Sequence, residues 1–243
     1  MYNDIADIYL EIFPLNQAFL DFLRGYLGNP GSAVLDLGCG PGDYVDVLTC
    51  EGYQGVGIDS SEVMITQAQA LKQGAFYNLS FGEINKIART RIQSFDCAYC
   101  VGNSLSYLPG KDLTPFLNDV SKLLKPFGTF ILQVVNWDKL QQAMSSDFPI
   151  NKISGGLTFH RFYKWVDHSK VIFHTEIQKE GERINSWSDP LYPKYIKDLV
   201  SALQATGLTV SGQFGDYGKS TFDSRSSPAL ILVAHKGVFD TEY

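Results

Sequence analysis

The sequence predicts an α/β fold: a mostly parallel sheet of seven strands, helices on both faces, and a small antiparallel β insertion. Three observations carry that prediction. Short apolar runs alternate with helical patterns up to residue 135, a glycine-rich loop follows the first run, and residues 157–187 turn aromatic-rich and alternating. At 243 residues the chain suits one large domain. It divides into an N-terminal helical segment (1–29), a core (30–150), the insertion (151–190) and a C-terminal return (191–243).

The N-terminal stretch reads as two helices broken at Pro14. Ala33-Val34-Leu35-Asp36-Leu37 reads as strand one, Val56-Gly57-Ile58 as strand two, and Leu79-Ser80-Phe81 as a weaker strand three. Phe95 to Cys100 is strand four, and Thr129 to Val135 is strand five, apolar throughout as a strand buried on both faces should be. Helices are expected over 61–72 and over 113–124, where Leu113, Phe116, Leu117, Val120, Leu123 and Leu124 recur at spacings of three and four. Lys125-Pro126-Phe127-Gly128 ends that helix. The insertion is expected to pair 157–166, 170–178 and 183–187. A helix over 194–206 and strands over 209–214 and 229–235 complete the sheet.

Composition narrows the function. Apolar residues make up 44% and charged residues 19%, which excludes disorder and coiled coil. The net charge is −6 and the pI near 5.2, so nonspecific nucleic-acid binding, which needs clustered Lys and Arg, is disfavoured. No run of 18 apolar residues is present, so no membrane association is expected. The N-terminus lacks the order of a signal peptide, and four cysteines form no secreted framework; a cytoplasmic location is the expectation. Cys97 and Cys100 sit three apart on a strand, hence on opposite faces, and read as core thiols.

The most informative segment is Asp36-Leu37-Gly38-Cys39-Gly40-Pro41-Gly42-Asp43. A strand ends in an acid, three glycines follow at alternate positions, and a helix begins. Glycine serves where backbone turns sharply or must meet a ligand without a Cβ, and such loops lie at the carboxyl edge of the sheet, where ligands bind. The dinucleotide pattern G-x-G-x-x-G is displaced, with Asp43 at its last position, and no G-K-S or G-K-T follows. A nucleoside without pyrophosphate fits better. Asp59, 21 residues beyond Gly38 and closing strand two, can accept both ribose hydroxyls; helix capping is its alternative reading.

These residues resemble the class I S-adenosylmethionine-dependent methyltransferases, a Rossmann-like superfamily. Asp36–Gly42 is similar to its first motif, Asp59 to its ribose-binding acid, and 123–128 to its turn before strand five, with Phe127 where glycine is more usual. The likeness covers about residues 30–140. It implies S-adenosylmethionine as cofactor and S-adenosylhomocysteine as product, with Asp36, Gly38, Cys39, Gly40 and Gly42 at the cofactor. Ser60 and Met64 would flank ribose and adenine, and Glu83-Ile84 would meet the adenine edge. Val101-Gly102-Asn103-Ser104-Leu105-Ser106-Tyr107-Leu108 is similar to the segment after strand four in glycine N-methyltransferase-like small-molecule enzymes, often with His at the position of Tyr107. The resemblance puts Val101, Gly102, Asn103, Ser104 and Tyr107 at the methionine end. Residues 134–138 are similar to that group's segment after strand five.

The expected activity is methyl transfer to a small molecule, an amine before a hydroxyl, with Tyr9, Asn103 and Tyr107 shaping the reacting end. Residues 2–9 resemble the family's N-terminal lid; a helix burying Ile5, Ile8, Tyr9 and Ile12 is the equal alternative. His160, His168 and His174 lie in the insertion and offer no compelling base. Phe159, Arg161, Tyr163 and Trp165 share one strand face, read as a packed face before a substrate wall. No metal is expected. O-methylation, a cofactor-binding protein without turnover, and a nicotinamide oxidoreductase are the rivals. Nucleic-acid methylation lacks its Asn/Asp-Pro-Pro-aromatic motif. A monomer or homodimer is expected, since inserted sheets serve as lids and as dimer contacts.

Overall fold

The computed structural model describes residues 1, 4–88, 94–143 and 148–237; Tyr2 and Asn3 of the lid-like pattern lie outside them. After a 3₁₀ turn at Ala6–Ile8 come α1 (Tyr9–Ile12) and α2 (Gln17–Arg24), separated around Pro14. Asn16 caps α2, its side chain accepting from Phe19 N at 3.2 Å. Then follow β1 (Ala33–Leu37), α3 (Asp43–Cys50), β2 (Gln54–Asp59), α4 (Glu62–Leu71), β3 (Ala75–Asn78), α5 (Asn85–Ala88) and β4 (Phe95–Cys100). Next come α6 (Leu113–Leu123), β5 (Leu124–Val135) and α7 (Trp137–Ala143), and then the insertion: β6 (Asn151–Ile153), β7 (Leu157–Asp167), β8 (Lys170–Lys179) and β9 (Glu182–Leu191). The chain ends its description with α8 (Ile196–Ala205), β10 (Leu208–Phe214) and β11 (Ala229–Lys236).

The main sheet has seven strands in the order β10-β11-β5-β4-β1-β2-β3. Only β11 runs against its neighbours. After β3 the chain returns to the other side of β1, so the strand order reverses between β1 and β4, the place where open α/β sheets bind ligands. Alternation along the strands feeds two cores. On one face Phe95, Cys100, Phe130, Leu132 and Leu232 meet α6 and α8; on the other Cys97, Tyr99, Ile131 and Ile231 meet Phe19 and Leu23 of α2. Cys97 and Cys100 are fully buried in different cores, and burial pushes both thiols up, so they are packing residues.

Three expectations are corrected. Strand three lies at 75–78, not 79–81, because this edge strand has only Phe76 buried and so gives little apolar signal; residues 81–83 form a 3₁₀ turn. Strand β5 begins at Leu124, with the register against β4 jumping from Phe95↔Leu124 to Cys97↔Thr129. Within that bulge Phe127 adopts φ 62° and is 74% exposed, a left-handed residue where glycine costs least. The insertion has four strands, the short β6 pairing with β7 at Asn151↔Phe159.

The inner face of the insertion packs on the main sheet's layer. Tyr163 stacks on Trp137 at 5.0 Å and Trp165 meets the same indole edge-on at 6.1 Å. Phe159 is fully buried with Ile5, Ile12 and Ile177, and the Arg161 guanidinium lies over Phe13 and Phe148. The four residues of that strand face are therefore packing, and none lines the cavity described next.

Candidate active site

The first βα turn shows why three glycines stand at alternate positions, each for a different reason. Gly38, Gly40 and Gly42 all have positive φ (89°, 54° and 84°). A Cβ on Gly38 would approach Ser104 at 3.0 Å, and one on Gly40 would face the Tyr9 ring and hydroxyl at 3.6 Å. A Cβ on Gly42 would collide with Phe76 at 2.6 Å, so this glycine serves close packing of α3 on β3. Asp43 then opens α3 and is paired with Lys72, the residue just after α4.

Asp59 braces the loop. One carboxylate oxygen accepts from Gly40 N at 2.9 Å and the other from Ser61 N at 2.8 Å. Capping of α4 falls to Ser61, whose hydroxyl accepts from Met64 N at 3.2 Å. Burial raises the Asp59 pKa above the usual carboxylate range, opposed by those backbone N–H groups. Asp36, 2% exposed, is pushed up to about 8 by burial; the Tyr99 hydroxyl opposes the shift and the Asp59 charge adds to it. Cys39 lies beneath Gly57, and burial pushes its thiol up, which keeps it unreactive.

Above these groups opens a cavity of about 910 Å³, at the upper end of the range for small-molecule sites, roughly 300–1,000 Å³. It runs along the carboxyl edge of the sheet in two halves. The first is bounded by Asp36, Gly38–Pro41, Asp59, Ser60, Met64 and Leu79–Gly82. The second reaches Gln133 of β5, the loop 215–217 after β10, and Ala229 and Ile231 of β11. Val101, Gly102, Ser104 and Tyr107 stand on the turn after β4, and Tyr9 and Phe13 belong to the N-terminal segment. Gln133 accepts from Gly102 N at 2.7 Å, which holds that turn. Five carboxylates line the cavity (Asp36, Asp43, Asp59, Asp189 and Asp216), and no Lys, Arg or His does among the described residues.

Of the sequence-predicted residues, Tyr9, Tyr107, Asp36, Gly38, Cys39, Gly40, Asp59, Ser60, Met64, Val101, Gly102 and Ser104 are brought together on this cavity. Four are not. Gly42 faces Phe76. Glu83 turns back to cap Ser80, accepting from its backbone N at 3.1 Å, and Ile84 is fully buried in the core. Their place is taken by Leu79–Gly82, a shift that follows from the misplaced third strand. Asn103, at φ 65°, holds the backbone instead: its carbonyl oxygen accepts from Ser106 Oγ at 2.7 Å and Val135 N at 3.2 Å, and Ser106 Oγ accepts from Trp137 Nε1 at 3.0 Å. Phe81, Gln133, Asp189, Asp216 and Tyr217 also line the cavity; Phe81 and Gln133 lie in runs read as strands, and Asp189, Asp216 and Tyr217 in segments distant in sequence, so none carries a local signal.

The donor set suits a sulfonium nucleoside. Asp59 stands at the strand end with both oxygens directed, Met64 and Phe81 supply apolar flanks, and Gly40 borders the cavity beneath the Tyr9 ring. Among the described residues no group of His, Cys, Asp and Glu is arranged to hold a metal ion.

Comparison with known proteins agrees with this geometry. A methyltransferase domain family matches residues 34–128. The chain is 28% identical over 124 residues to a ubiquinone biosynthesis O-methyltransferase of Xanthomonas campestris pv. campestris (strain B100), covering 50% of this chain and 51% of that protein. The chain thus spans about half the length of the curated relatives it matches. Among solved structures, the CcbJ methyltransferase of Streptomyces caelestis superposes with a TM-score of 0.80 at 21% identity, over 98% of both chains. An S-adenosylmethionine-dependent methyltransferase of Clostridium acetobutylicum ATCC 824 superposes at 0.77 with 18% identity, over 98% of this chain and 99% of the other. The protein therefore has the fold of S-adenosylmethionine-dependent methyltransferases of known structure, and its residues 34–128 match a methyltransferase domain family.

Proposed function

We propose that the protein transfers a methyl group from S-adenosylmethionine to a small-molecule amine. The carrying observation is the acidity of the cavity: five Asp side chains line it, of which burial keeps Asp36 largely protonated and Lys72 pairs with Asp43, and among the described lining residues there is no cationic group and no histidine. Such a lining attracts a sulfonium and an ammonium and repels anionic acceptors. A hydroxyl acceptor needs a base within hydrogen-bond reach; the described histidines lie elsewhere, so that role would fall to a cavity carboxylate. His174 stacks on Phe162, His160 meets Thr158, and His235 meets Thr129.

Bound in the first half of the cavity, S-adenosylmethionine would supply an electrophilic methyl group. Asp59 would hold the ribose, Met64 and Phe81 the adenine, and Gly38, Gly102 and Ser104 would border the methionine end. Tyr9, Phe13 and Tyr107 would align the acceptor and exclude water. Alignment of this kind is worth effective molarities of roughly 10⁵–10⁸ M, so an amine arriving neutral needs little more. The segment 101–108 supports a likeness to small-molecule N-methyltransferases over nucleic-acid enzymes.

Calorimetric titration with S-adenosylmethionine and S-adenosylhomocysteine, followed by methyl-labelled acceptor panels, tests this reading. Wild type should bind both ligands, and Asp59→Ala should weaken them at least tenfold. Labelled methyl should then appear on amines. Absence of binding by the wild type at millimolar ligand overturns the reading, and transfer to hydroxyl compounds alone replaces the amine by an alcohol.

A further inference from the structure

The insertion contributes a single described residue to the cavity, Asp189 of β9. Directly opposed residues in an antiparallel pair share a face. The pairs Val171↔Leu191, Phe173↔Asp189 and Thr175↔Trp187 therefore put Asp189 on the inner face of the insertion. Val171, Phe173, Thr175 and Leu191 of that face are buried packing, whereas Asp189 is partly exposed and opens onto the cavity.

Three other cavity carboxylates have partners: Asp43 has Lys72, Asp59 has the N–H groups of Gly40 and Ser61, and Asp216 accepts from Ser220 N at 3.2 Å, while Asp36 is deeply buried beside Tyr99 and its burial raises its pKa. The Asp189 side chain makes no hydrogen bond and no ion pair with any described residue. Its strand is nonetheless held in place. Tyr192 N donates to Ser106 O at 2.7 Å, and Lys194 Nζ donates to Leu108 O at 2.6 Å and Tyr192 O at 2.8 Å. These bonds fix the end of β9 against the turn that carries Tyr107 and Leu108, both cavity residues.

We propose that Asp189 is the residue by which the insertion selects the acceptor, its carboxylate holding the positively charged nitrogen of an amine-bearing small molecule. The proposal rests on the amine reading above and names the group that enforces it. The ammonium drawn to Asp189 gives one proton to water before transfer, and the neutral amine is the form that reacts. The freed nitrogen lone pair forms the N–C bond while the C–S pair stays on sulfur. The positive charge passes from sulfur to nitrogen, facing the same carboxylate, which stabilises the product cation as it forms.

The test uses the full chain saturated with S-adenosylhomocysteine and two isosteric probe pairs, benzylamine with benzyl alcohol and cyclohexylamine with cyclohexanol. By calorimetry the wild type should bind each amine at least tenfold more tightly than its alcohol. Asp189→Asn should lose that preference while its S-adenosylhomocysteine affinity stays within twofold, and Asp189→Glu should regain part of it. An Asp189→Asn variant that binds amines as the wild type does, or a wild type with no preference, overturns the proposal. Labelled transfer separates the two readings. Methylation of amines with unchanged KM in Asp189→Asn removes the role of Asp189 and leaves amine methylation standing, whereas methylation of the alcohols alone removes both.

Discussion

With S-adenosylmethionine in the cavity as proposed, Asp36 would couple its binding to pH. Its folded carboxyl titrates at about 8 because burial disfavours the charge, against an ordinary value of about 3.9. A sulfonium in the cavity favours the ionised form, so binding below that pH releases a proton. S-adenosylmethionine affinity should therefore rise as pH increases from 6 to 8 and level off above, with the rise absent in Asp36→Asn. Calorimetry in buffers of different ionisation enthalpy reads the released proton directly. The ligand-free protein shows the opposite trend: a raised acid binds more protons folded than unfolded, so its contribution to stability is lost as pH climbs from about 4 towards 8. The melting-temperature gap between Asp36→Asn and wild type should widen in the variant's favour over that interval. The places of Asp36, Asp59, Gly38 and Gly40 on the cavity were legible in the sequence because they follow from a strand end, a turn and a fixed interval. Asp189 and Tyr217 were not, since they reach the cavity from segments more than 120 residues away that only the finished sheet brings near.

Among elements, the bulge opening β5 and the N-terminal segment behave differently from what their sequences suggest. Phe127 holds a left-handed conformation in the open, so its ring returns little for the strain. That strain is about 1–2 kcal/mol, and glycine forfeits roughly 0.5–1 kcal/mol of chain entropy. Phe127→Gly should stabilise the protein by about 1 kcal/mol, or roughly 2–4 °C in Tm; a lower Tm by scanning calorimetry contradicts this. The N-terminal segment is fastened to the insertion. Glu11 accepts from Ser154 N at 2.8 Å and Ser154 Oγ at 3.0 Å, Asn151 Nδ2 donates to Ile12 O at 2.7 Å, and Trp187 Nε1 donates to Asp4 at 2.9 Å. Since Tyr9 covers Gly40, the double variant Glu11→Ala/Asn151→Ala should speed S-adenosylhomocysteine release several-fold by stopped-flow displacement, with an unchanged rate refuting the coupling. The alternation of β7–β9 revealed the insertion, but three-residue β6 fell below any periodic signal, and the low burial of β3 displaced its reading by four residues.

For the molecule as a whole, the sheet order was the least legible property, because order depends on which edges pair and not on where strands begin. The C-terminal strand lies inside the sheet: β11 hydrogen-bonds β5 on one side and β10 on the other. During synthesis, then, the nascent polypeptide carries β5 and β10 with bare edges until residues 229–236 clear the ribosome. Neither edge can be satisfied by anything made earlier, and β5 is twelve residues long and largely buried. Addition of β11 is thus an insertion between two waiting strands, and the chain before it is a natural client for chaperones that shield strand edges. A chain stopped at residue 228 should go to the insoluble fraction on expression, and soluble, cofactor-binding material from it would refute this order of events.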